Sequence, residues 1–315
     1  MAIDGILNID KPRGFTSHDV VAKLRGILGQ KKIGHTGTLD PEAVGVLPVC
    51  LGSATRLCDL LTDKDKEYVA QVRLGVTTDT QDMTGRIIEE RMVGATALEV
   101  EKALMSFLGD YEQIPPMFSA IKIDGKRLYE LAREGKEIER KARTVQIKEI
   151  ELLSVELPLL TIRVKCSKGT YIRTLCHDLG KALGCGGAME QLERTRSGMF
   201  TKATALSLEE LEGIMAKRGE KSKEEALEGI LIPVDRLFSD YPALQLKPAR
   251  EKLIENGNSF ENHHLLPSLQ QEVWPDHSQY RVYIQKDRFM GIYEYRKKEG
   301  RFCPVRMFIS KQGEK

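Results

Sequence analysis

Apolar and polar residues follow two different spacings along the first part of the chain. Residues 5–10 form a short apolar run and residues 67–76 alternate, so both segments are predicted to be strands. Residues 17–29 show helical spacing, with Ser17 as the predicted N-cap and Gly29 as the stop. The predicted apolar face of this helix contains Val20, Val21, Leu24, Ile27 and Leu28.

A capping box predicts a second helix over residues 96–108, formed by Thr96 and Glu99. Its predicted buried residues are Leu104, Phe107 and Leu108. Further strands are predicted at 143–156, 160–166 and about 188–195, and a further helix at 171–183. Strands and helices follow one another here without a regular βαβ repeat. We therefore expect an α+β fold with a mixed or antiparallel sheet.

Residues 111–144 interrupt this pattern. They contain a Pro-Pro break, an Asp-Gly pair at Asp124 that predicts a tight turn, and a short basic helix that ends at Gly135. The segment is rich in Lys and Arg and lacks a continuous apolar face. We predict that it forms a protruding arm inserted into the first domain.

The composition changes again after a third predicted helix, which begins at a capping box of Ser207 and Glu210. Residues 216–229 are polar and acidic, and three short strands with alternating aromatic and basic side chains are predicted beyond them. These changes predict a first domain at 1–215, a linker at 216–229, and a small β-rich module at 230–315.

The composition is that of a soluble globular protein, with 315 residues, 41% hydrophobic and 30% charged. The amino terminus lacks the basic-then-apolar order of a signal peptide, and no apolar run approaches the roughly 18 residues that cross a bilayer. We therefore expect a cytoplasmic protein without membrane contact. None of the six cysteines shows C-x-x-C spacing, which predicts reduced thiols and no structural metal.

The net charge of +2 conceals several basic blocks. Basic residues outnumber acidic ones by six to one in residues 11–32, nine to five in 122–148, eight to three in 161–202 and ten to four in 281–315. Any one block alone is typical of a solvated face. Together they could form a polyanion-binding surface if the fold brings them to one side.

After the known motifs are compared with the sequence, one carboxylate remains as the candidate catalytic group. The stretch GHTGT has neither of the glycine spacings of nucleotide-binding loops, and the chain has no G-x-S-x-G elbow. Asp40 lies between this stretch and Pro41, which predicts a fixed loop. A lone Asp can act as a nucleophile if a neighbour keeps it ionised. Arg173, at a predicted strand-to-helix turn, is a candidate partner, but spacing cannot show that the two meet.

Five stretches, in order between about residue 5 and residue 200, closely resemble the TruB family. They are DKPRGFTSHDVV, KKIGHTGTLDPEAVGVLPVCLGSATRL, DKEYVAQVRLGVTTDTQDMTG, PPMFSAIKIDGKRLYELAREG and CSKGTYIRTLCHDLG. The family consists of bacterial tRNA pseudouridine synthases, which convert the uridine at position 55 in the T-loop. The resemblance implies a pseudouridine synthase catalytic domain in which the 111–144 arm grips the T-loop. The C-terminal part resembles a PUA-like RNA-binding module.

The resemblance also assigns roles to individual residues. It implies that Asp40 is the catalytic aspartate, that Tyr68 stacks on the target base and takes part in proton removal from C5, and that Arg173 pairs with the aspartate. The residues that match pocket, RNA-contact or loop-supporting positions are His35, Tyr171, Leu192, Lys11 and Pro12.

The expected reaction flips the uridine out of the folded tRNA, detaches the base and rejoins it through C5. Attack at C1′, attack at C6 and assisted elimination are all open to Asp40. No redox change occurs, so we expect no metal and no organic cofactor. We expect a monomer without an obligate protein partner. The alternatives are a guide-dependent synthase for ribosomal RNA, against which the arm argues, and a non-catalytic tRNA-binding or folding protein on the same scaffold.

Overall fold

The computed structural model describes residues 3–123, 125–285 and 287–308. The strands of its first part are β1 (Gly5–Lys11), β2 (Ile33–His35), β3 (Val44–Leu51), β4 (Lys66–Leu74), β5 (Val76–Thr78), β6 (Ile87–Glu90), β7 (Gly109–Gln113), β8 (Lys122–Ile123), β9 (Lys126–Arg127), β10 (Arg143–Glu156), β11 (Leu159–Cys166), β12 (Gly187–Ser197) and β13 (Phe200–Thr201). The helices are α1 (Ser17–Leu28), α2 (Cys58–Thr62), α3 (Ala97–Met105), α4 (Leu128–Arg133), α5 (Ile172–Ala182), α6 (Leu208–Ala216), α7 (Lys223–Ala226) and α8 (Glu251–Glu255).

Nine of these strands form one mixed sheet in the order β1-β3-β12-β4-β11-β10-β7, with β2 added to β3 and β13 to β12. The pairing of β12 with β3 is parallel, whereas the other pairings in this sheet are antiparallel. The predicted α+β fold with a mixed sheet is confirmed. Because β3 and β4 both flank β12, the loop before β3 lies near the first residues of β4.

Helix α1 packs with α6 on β1 and β3 in one apolar cluster, and α3 and α5 contribute to a second. Val20, Val21, Leu24 and Leu28 of α1 are buried as predicted, and Gly29 ends the helix in a left-handed conformation. The predicted N-cap Ser17 is wrong by one residue. The Thr16 hydroxyl accepts from the backbone N–H of Asp19 instead, which leaves the side chain of Ser17 free for a contact outside the helix.

The predicted capping box of Thr96 and Glu99 is present, but α3 ends at Met105, earlier than predicted. The predicted burial of Leu108 is wrong, since this side chain is 46% exposed. Gly109 follows with a φ of 94° and redirects the chain into β7. Leu108 is therefore half-exposed, whereas Leu104 is buried in the core.

The predicted arm begins and ends inside the sheet. β7 pairs with β10 from Gly109 to Gln113, so residues 111–113 and 143–144 belong to the sheet edge. Between these strands lie the hairpin β8–β9 and α4, and Gly135 follows α4 with a positive φ, as predicted. Asp124 of the predicted Asp-Gly turn lies outside the described residues.

A second sheet forms the C-terminal part, in the order β14-β16-β17-β18-β15. Its strands are β14 (Ala243–Gln245), β15 (Phe260–Glu261), β16 (Gln279–Ile284), β17 (Arg288–Arg296) and β18 (Arg301–Met307). They confirm the predicted β-rich module and surround an apolar cluster that includes Trp274 and Phe302. The segment predicted as a linker contains α7 and the fully buried Leu227, which packs in the α1–α6 cluster. The division at 215 and 230 stays a prediction.

Candidate active site

The loop that carries Asp40 is fixed on both sides of this residue. On one side, the backbone N–H of Leu39 donates to Oγ of Ser17 over 3.0 Å. On the other side, the carbonyl of Pro41 accepts from Nζ of Lys11 over 3.0 Å. Since both flanking residues are held by buried groups of β1 and α1, the direction of the Asp40 side chain is set by the fold.

Lys11 is fully buried and serves as the centre of this support. Its ammonium also donates to the carbonyls of Pro12 and Phe15, over 2.9 and 2.5 Å. Burial lowers the pKa of Lys11 to about 8, and the negative charge of Asp40 partly opposes this effect. The Lys11 side chain thus connects the end of β1, the start of α1 and the Asp40 loop by hydrogen bonds.

Arg173 lies in the first turn of α5 and forms a two-point contact with Asp40. Its Nε is 2.9 Å from Oδ2 of Asp40, and its Nη2 donates to Oδ1 over 3.4 Å. The arginine side chain is 6% exposed, whereas that of the aspartate is 40% exposed. A buried guanidinium therefore holds a carboxylate that solvent, or a ligand, can reach. The sequence suggested this pair without being able to show the contact.

The guanidinium has further partners that fix its plane. Nη1 donates to the carbonyl of Thr80 over 3.1 Å and Nη2 to that of Phe118 over 2.8 Å. Nη1 also lies 3.6 Å from Oδ2 of Asp82. Arg173 is therefore placed between two carboxylates, and one of its backbone partners belongs to the arm.

Asp82 was not singled out in the sequence, where residues 78–85 gave only a turn-rich loop. Its Oδ1 accepts from the hydroxyls of Thr80 and Thr84, over 2.8 and 2.5 Å, and from the backbone N–H of Thr84 over 3.0 Å. The loop is joined to β12 by the backbone N–H of Met83, which donates to the carbonyl of Met189. In the sequence, the feature that could have indicated Asp82 was the alternation of two acids with threonines in residues 78–85.

Tyr68 lies on β4, directly across from Arg194 of β12. It is 8% exposed and shares an apolar cluster with Leu39 and Leu192. Burial raises the pKa of Tyr68, which keeps the phenol neutral. The predicted base-stacking residue and the predicted pocket residue Leu192 are thus neighbours of the segment that bears Asp40.

Arg194 is a second arginine that sequence reasoning did not single out. It is 1% exposed, and its guanidinium donates to the carbonyls of Val46 and Gly37, over 2.7 and 3.3 Å. These contacts join β12 to the chain segments before and after Asp40. The role of Arg194 follows from the parallel pairing of β3 with β12, which local sequence patterns do not reveal.

Tyr171 immediately precedes α5. Its backbone N–H donates to Oε1 of Gln113 over 2.7 Å, and Nε2 of Gln113 donates to its carbonyl over 2.9 Å. The buried side chain of Gln113 thereby attaches the start of α5, and with it Arg173, to β7 at the base of the arm. Burial raises the pKa of the Tyr171 phenol.

His35 is the last residue of β2 and precedes the Asp40 loop. Its ring packs edge-on against His18, with centroids 5.0 Å apart. Burial lowers the pKa of His35 to about 4, so the ring is neutral at physiological pH. Of the predicted residues, Asp40 and Arg173 meet directly, Tyr68 and Leu192 share one apolar cluster, and Lys11 holds the loop by its hydrogen bond to Pro41.

Two further observations concern possible metal ligands and the length of the apolar helices. Within the described ranges, His, Cys, Asp and Glu side chains do not gather in groups of three or more that could hold a metal ion. None of the helices in the described part of the chain is long and apolar enough to cross a membrane.

Comparison with family models covers most of the chain. Residues 25–172 match the model of the TruB family pseudouridylate synthase, N-terminal domain, and residues 173–239 match the tRNA pseudouridylate synthase B C-terminal domain. A mixed sheet with a fixed aspartate paired to an arginine thus occurs in a chain that matches pseudouridine synthase models over residues 25–239. The chain belongs to the TruB family and is a pseudouridine synthase, an isomerase.

Similar curated proteins span the whole chain. A protein named tRNA pseudouridine synthase B from Lachnoclostridium phytofermentans is 51% identical, over 98% of this chain and 100% of its own length. A protein of the same name from Pseudomonas aeruginosa is 44% identical, over 98% of this chain and 97% of its own.

Solved structures show the same architecture. An H/ACA RNP bound to a substrate RNA containing 2′-deoxyuridine contains a chain with a TM-score of 0.69 and 26% identity, over 98% of this chain and 86% of that chain. A Cbf5-Nop10-Gar1 complex contains one with a TM-score of 0.69 and 28% identity, over 96% and 84%.

Proposed function

We propose that this enzyme isomerises uridine to pseudouridine at position 55 in the T-loop of tRNA, with Asp40 as nucleophile. The observation that carries the proposal is the two-point contact between Arg173 and Asp40. It is supported by relatives, 42–51% identical over nearly the whole chain, that are named tRNA pseudouridine synthase B.

The contact suits a carboxylate that must stay ionised beside an apolar pocket. Arg173 satisfies one edge of the carboxylate, and the exposed part of Asp40 remains free to approach a sugar or base carbon. Attack at C1′, attack at C6 and assisted elimination all use an ionised carboxylate. The fixed loop places it without reorganisation when the substrate arrives.

Tyr68 supplies the aromatic surface for the extruded base. Flipping a base from a folded RNA costs a few kcal/mol, and stacking on an aromatic ring returns about 1–3 kcal/mol of it. The ring can stack on the base, and its hydroxyl, which burial keeps neutral, can relay the C5 proton by passing its own proton to a second acceptor such as water. His35, Tyr171 and Leu192 complete the pocket in this proposal.

The arm and the basic blocks supply the grip on the RNA. The arm's Phe118 carbonyl accepts a hydrogen bond from Arg173, so a displacement of the arm upon RNA binding reaches the catalytic pair directly. The C-terminal module is proposed as a PUA-like RNA-binding unit. We further propose that the protein acts in the cytoplasm as a monomer, with neither a guide RNA nor a protein partner.

The test uses purified protein and an unmodified tRNA transcript, without guide RNA, metal or nucleotide. Pseudouridine is mapped by carbodiimide treatment and primer extension. A single stop at position 55 is expected, and it should disappear with Asp40→Asn while tRNA binding is retained. Asp240→Asn, an exposed carboxylate in the C-terminal part, is the matched control and should behave as wild type.

Three outcomes would overturn the proposal. Product from Asp40→Asn at the wild-type rate would remove the aspartate from its role. A stop at another position would change the assigned substrate site. Binding of tRNA by folded wild-type protein without any product would favour the guide-dependent or folding alternatives.

A further inference from the structure

Cys50 and Cys58 do not have C-x-x-C spacing, but both lie next to Gly34 of β2. Cys50 of β3 is the register partner of Gly34 of β2, so the side-chain positions of the two residues share one face of the sheet. A Cβ built on Gly34 would lie 3.1 Å from Sγ of Cys58, the first residue of α2. The absence of a side chain at Gly34 therefore leaves room for the Cys58 sulfur on the face of the sheet where the Cys50 side chain lies.

The two thiols differ in environment. Cys50 is fully buried, whereas Cys58 is partly exposed, and both belong to one apolar cluster with Leu57. The neighbouring Cys50 thiol lowers the pKa of Cys58, and the interaction with Cys58, together with burial, raises the pKa of Cys50. An accessible thiol of lowered pKa beside a buried second thiol is the arrangement of a redox-active pair.

We propose that Cys50 and Cys58 form a reversible oxidation site, at which a peroxide converts the two thiols into a disulfide. The Cys58 sulfur attacks one oxygen of hydrogen peroxide, the O–O bond breaks, and the hydroxide released takes up the thiol proton to form water. Cys58 is then a sulfenic acid. The Cys50 sulfur attacks it, the S–S bond forms, the S–O bond breaks, and a second water leaves with the Cys50 proton.

The remaining cysteines are poorer targets. Burial raises the pKa of Cys166 to about 11 and that of Cys176 to about 12, so neither is a thiolate at neutral pH. Cys185 and Cys303 are also buried. Oxidation should therefore begin at Cys58, and the new bond would join the end of β3 to α2 directly under the strand that carries His35.

The sequence itself provides the readout. Arg56 lies between the two cysteines, so trypsin releases residues 33–56 with Cys50 and residues 57–64 with Cys58 as separate peptides. The folded full-length protein is treated with equimolar hydrogen peroxide, free thiols are blocked with N-ethylmaleimide, and the digest is analysed by mass spectrometry. A linked pair of these two peptides is expected, and it should separate on treatment with dithiothreitol.

Two variants sharpen the test. In Cys50→Ser, the sulfenic acid on Cys58 should accumulate and react with dimedone, whereas Cys303→Ser should give the same linked peptides as wild type. The proposal is wrong if Cys58 in the wild-type protein stays fully alkylated after peroxide. It is also wrong if Cys58 proceeds to sulfinic acid without a link to Cys50, or if another cysteine is oxidised first. The wild-type digest decides the matter even if Cys50→Ser does not fold.

Discussion

The ammonium of Lys11 donates a hydrogen bond to the carbonyl of Pro41, the residue that directly follows Asp40, over 3.0 Å. The same ammonium holds two carbonyls at the entry to α1. A residue at the end of the first strand therefore sets the position of a carboxylate on a loop about thirty residues later in the chain.

Replacing this lysine should damage both stability and turnover. In Lys11→Met, three carbonyls lose a charged donor, and we expect the free energy of unfolding to fall by about 2 kcal/mol in urea titrations. Displacement of Asp40 by even about 1 Å should lower kcat by about 100-fold. Lys23→Met is the control, since its exposed pair with Glu212 contributes less than about 1 kcal/mol. Full turnover by Lys11→Met would contradict the supporting role.

The pair of Arg173 with Asp40 tests whether the shape of the cation matters in addition to its charge. Arg173→Lys keeps the positive charge but cannot contact both carboxylate oxygens and the two backbone carbonyls at once. We expect kcat to fall by at least about 10-fold, with the dissociation constant for tRNA little changed. Single-turnover kinetics and filter binding measure the two quantities separately, and wild-type kcat would refute the expectation.

The second carboxylate beside Arg173 should also affect turnover. Asp82→Asn keeps an oxygen for the hydroxyls of Thr80 and Thr84 but removes the charge 3.6 Å from the guanidinium. We expect kcat to fall by about 10-fold with little change in KM. Asp79→Asn is the control, because this carboxylate accepts from the backbone N–H of Arg86 in the same loop. Equal effects of the two substitutions would point to loop stability instead of the charge.

Tyr68 allows its ring and its hydroxyl to be tested separately. Tyr68→Phe retains the stacking surface, so tRNA affinity should stay near that of wild type while product formation falls by about 100-fold. Tyr68→Leu removes the aromatic surface as well and should weaken binding of the flipped base by about 1–3 kcal/mol. Rapid-quench measurements at saturating tRNA compare the rate of product formation by each variant with that of the wild type. Wild-type turnover by Tyr68→Phe would exclude a role for the hydroxyl.

His35 should make the protein more sensitive to acid. Its pKa in the folded chain is about 4, against 6.5 ordinarily, so between these values the unfolded chain binds a proton that the folded chain does not. The stability that His35 contributes is therefore present above about pH 6.5 and lost as the pH falls toward 4. Urea unfolding of His35→Asn should show a smaller loss over this range than wild type.

Local features were predictable from the sequence, because neighbouring residues determine them. The apolar face of α1 and the capping box of Thr96 and Glu99 depend on residues within one or two turns. The error at Ser17 shows that neighbouring residues alone do not always determine the N-cap. Thr16 and Ser17 are both suitable caps, and a bond to Leu39, which lies on a different segment, decides between them.

The missed site residues depend on partners far away in the chain. Arg194 is placed by its strand's parallel pairing with β3, and Asp82 by a loop that joins β12 through Met189. The proximity of Cys50 and Cys58 depends on the glycine opposite Cys50 on β2. None of these relations leaves a periodic signal in the sequence, whereas Asp40 was conspicuous because glycines and a proline surround it.

The position of β12 has a consequence for synthesis of the chain on the ribosome. Among the described strands, the group around β1 and β3 is joined to the group around β4 and β11 through β12, which is made after both. Pairings of such long sequence separation form slowly and late. The nascent chain therefore cannot assemble the proposed reaction centre until about residue 197 has left the exit tunnel, and a truncated product will carry Asp40 without β12, the strand that joins β3 to the strand of Tyr68.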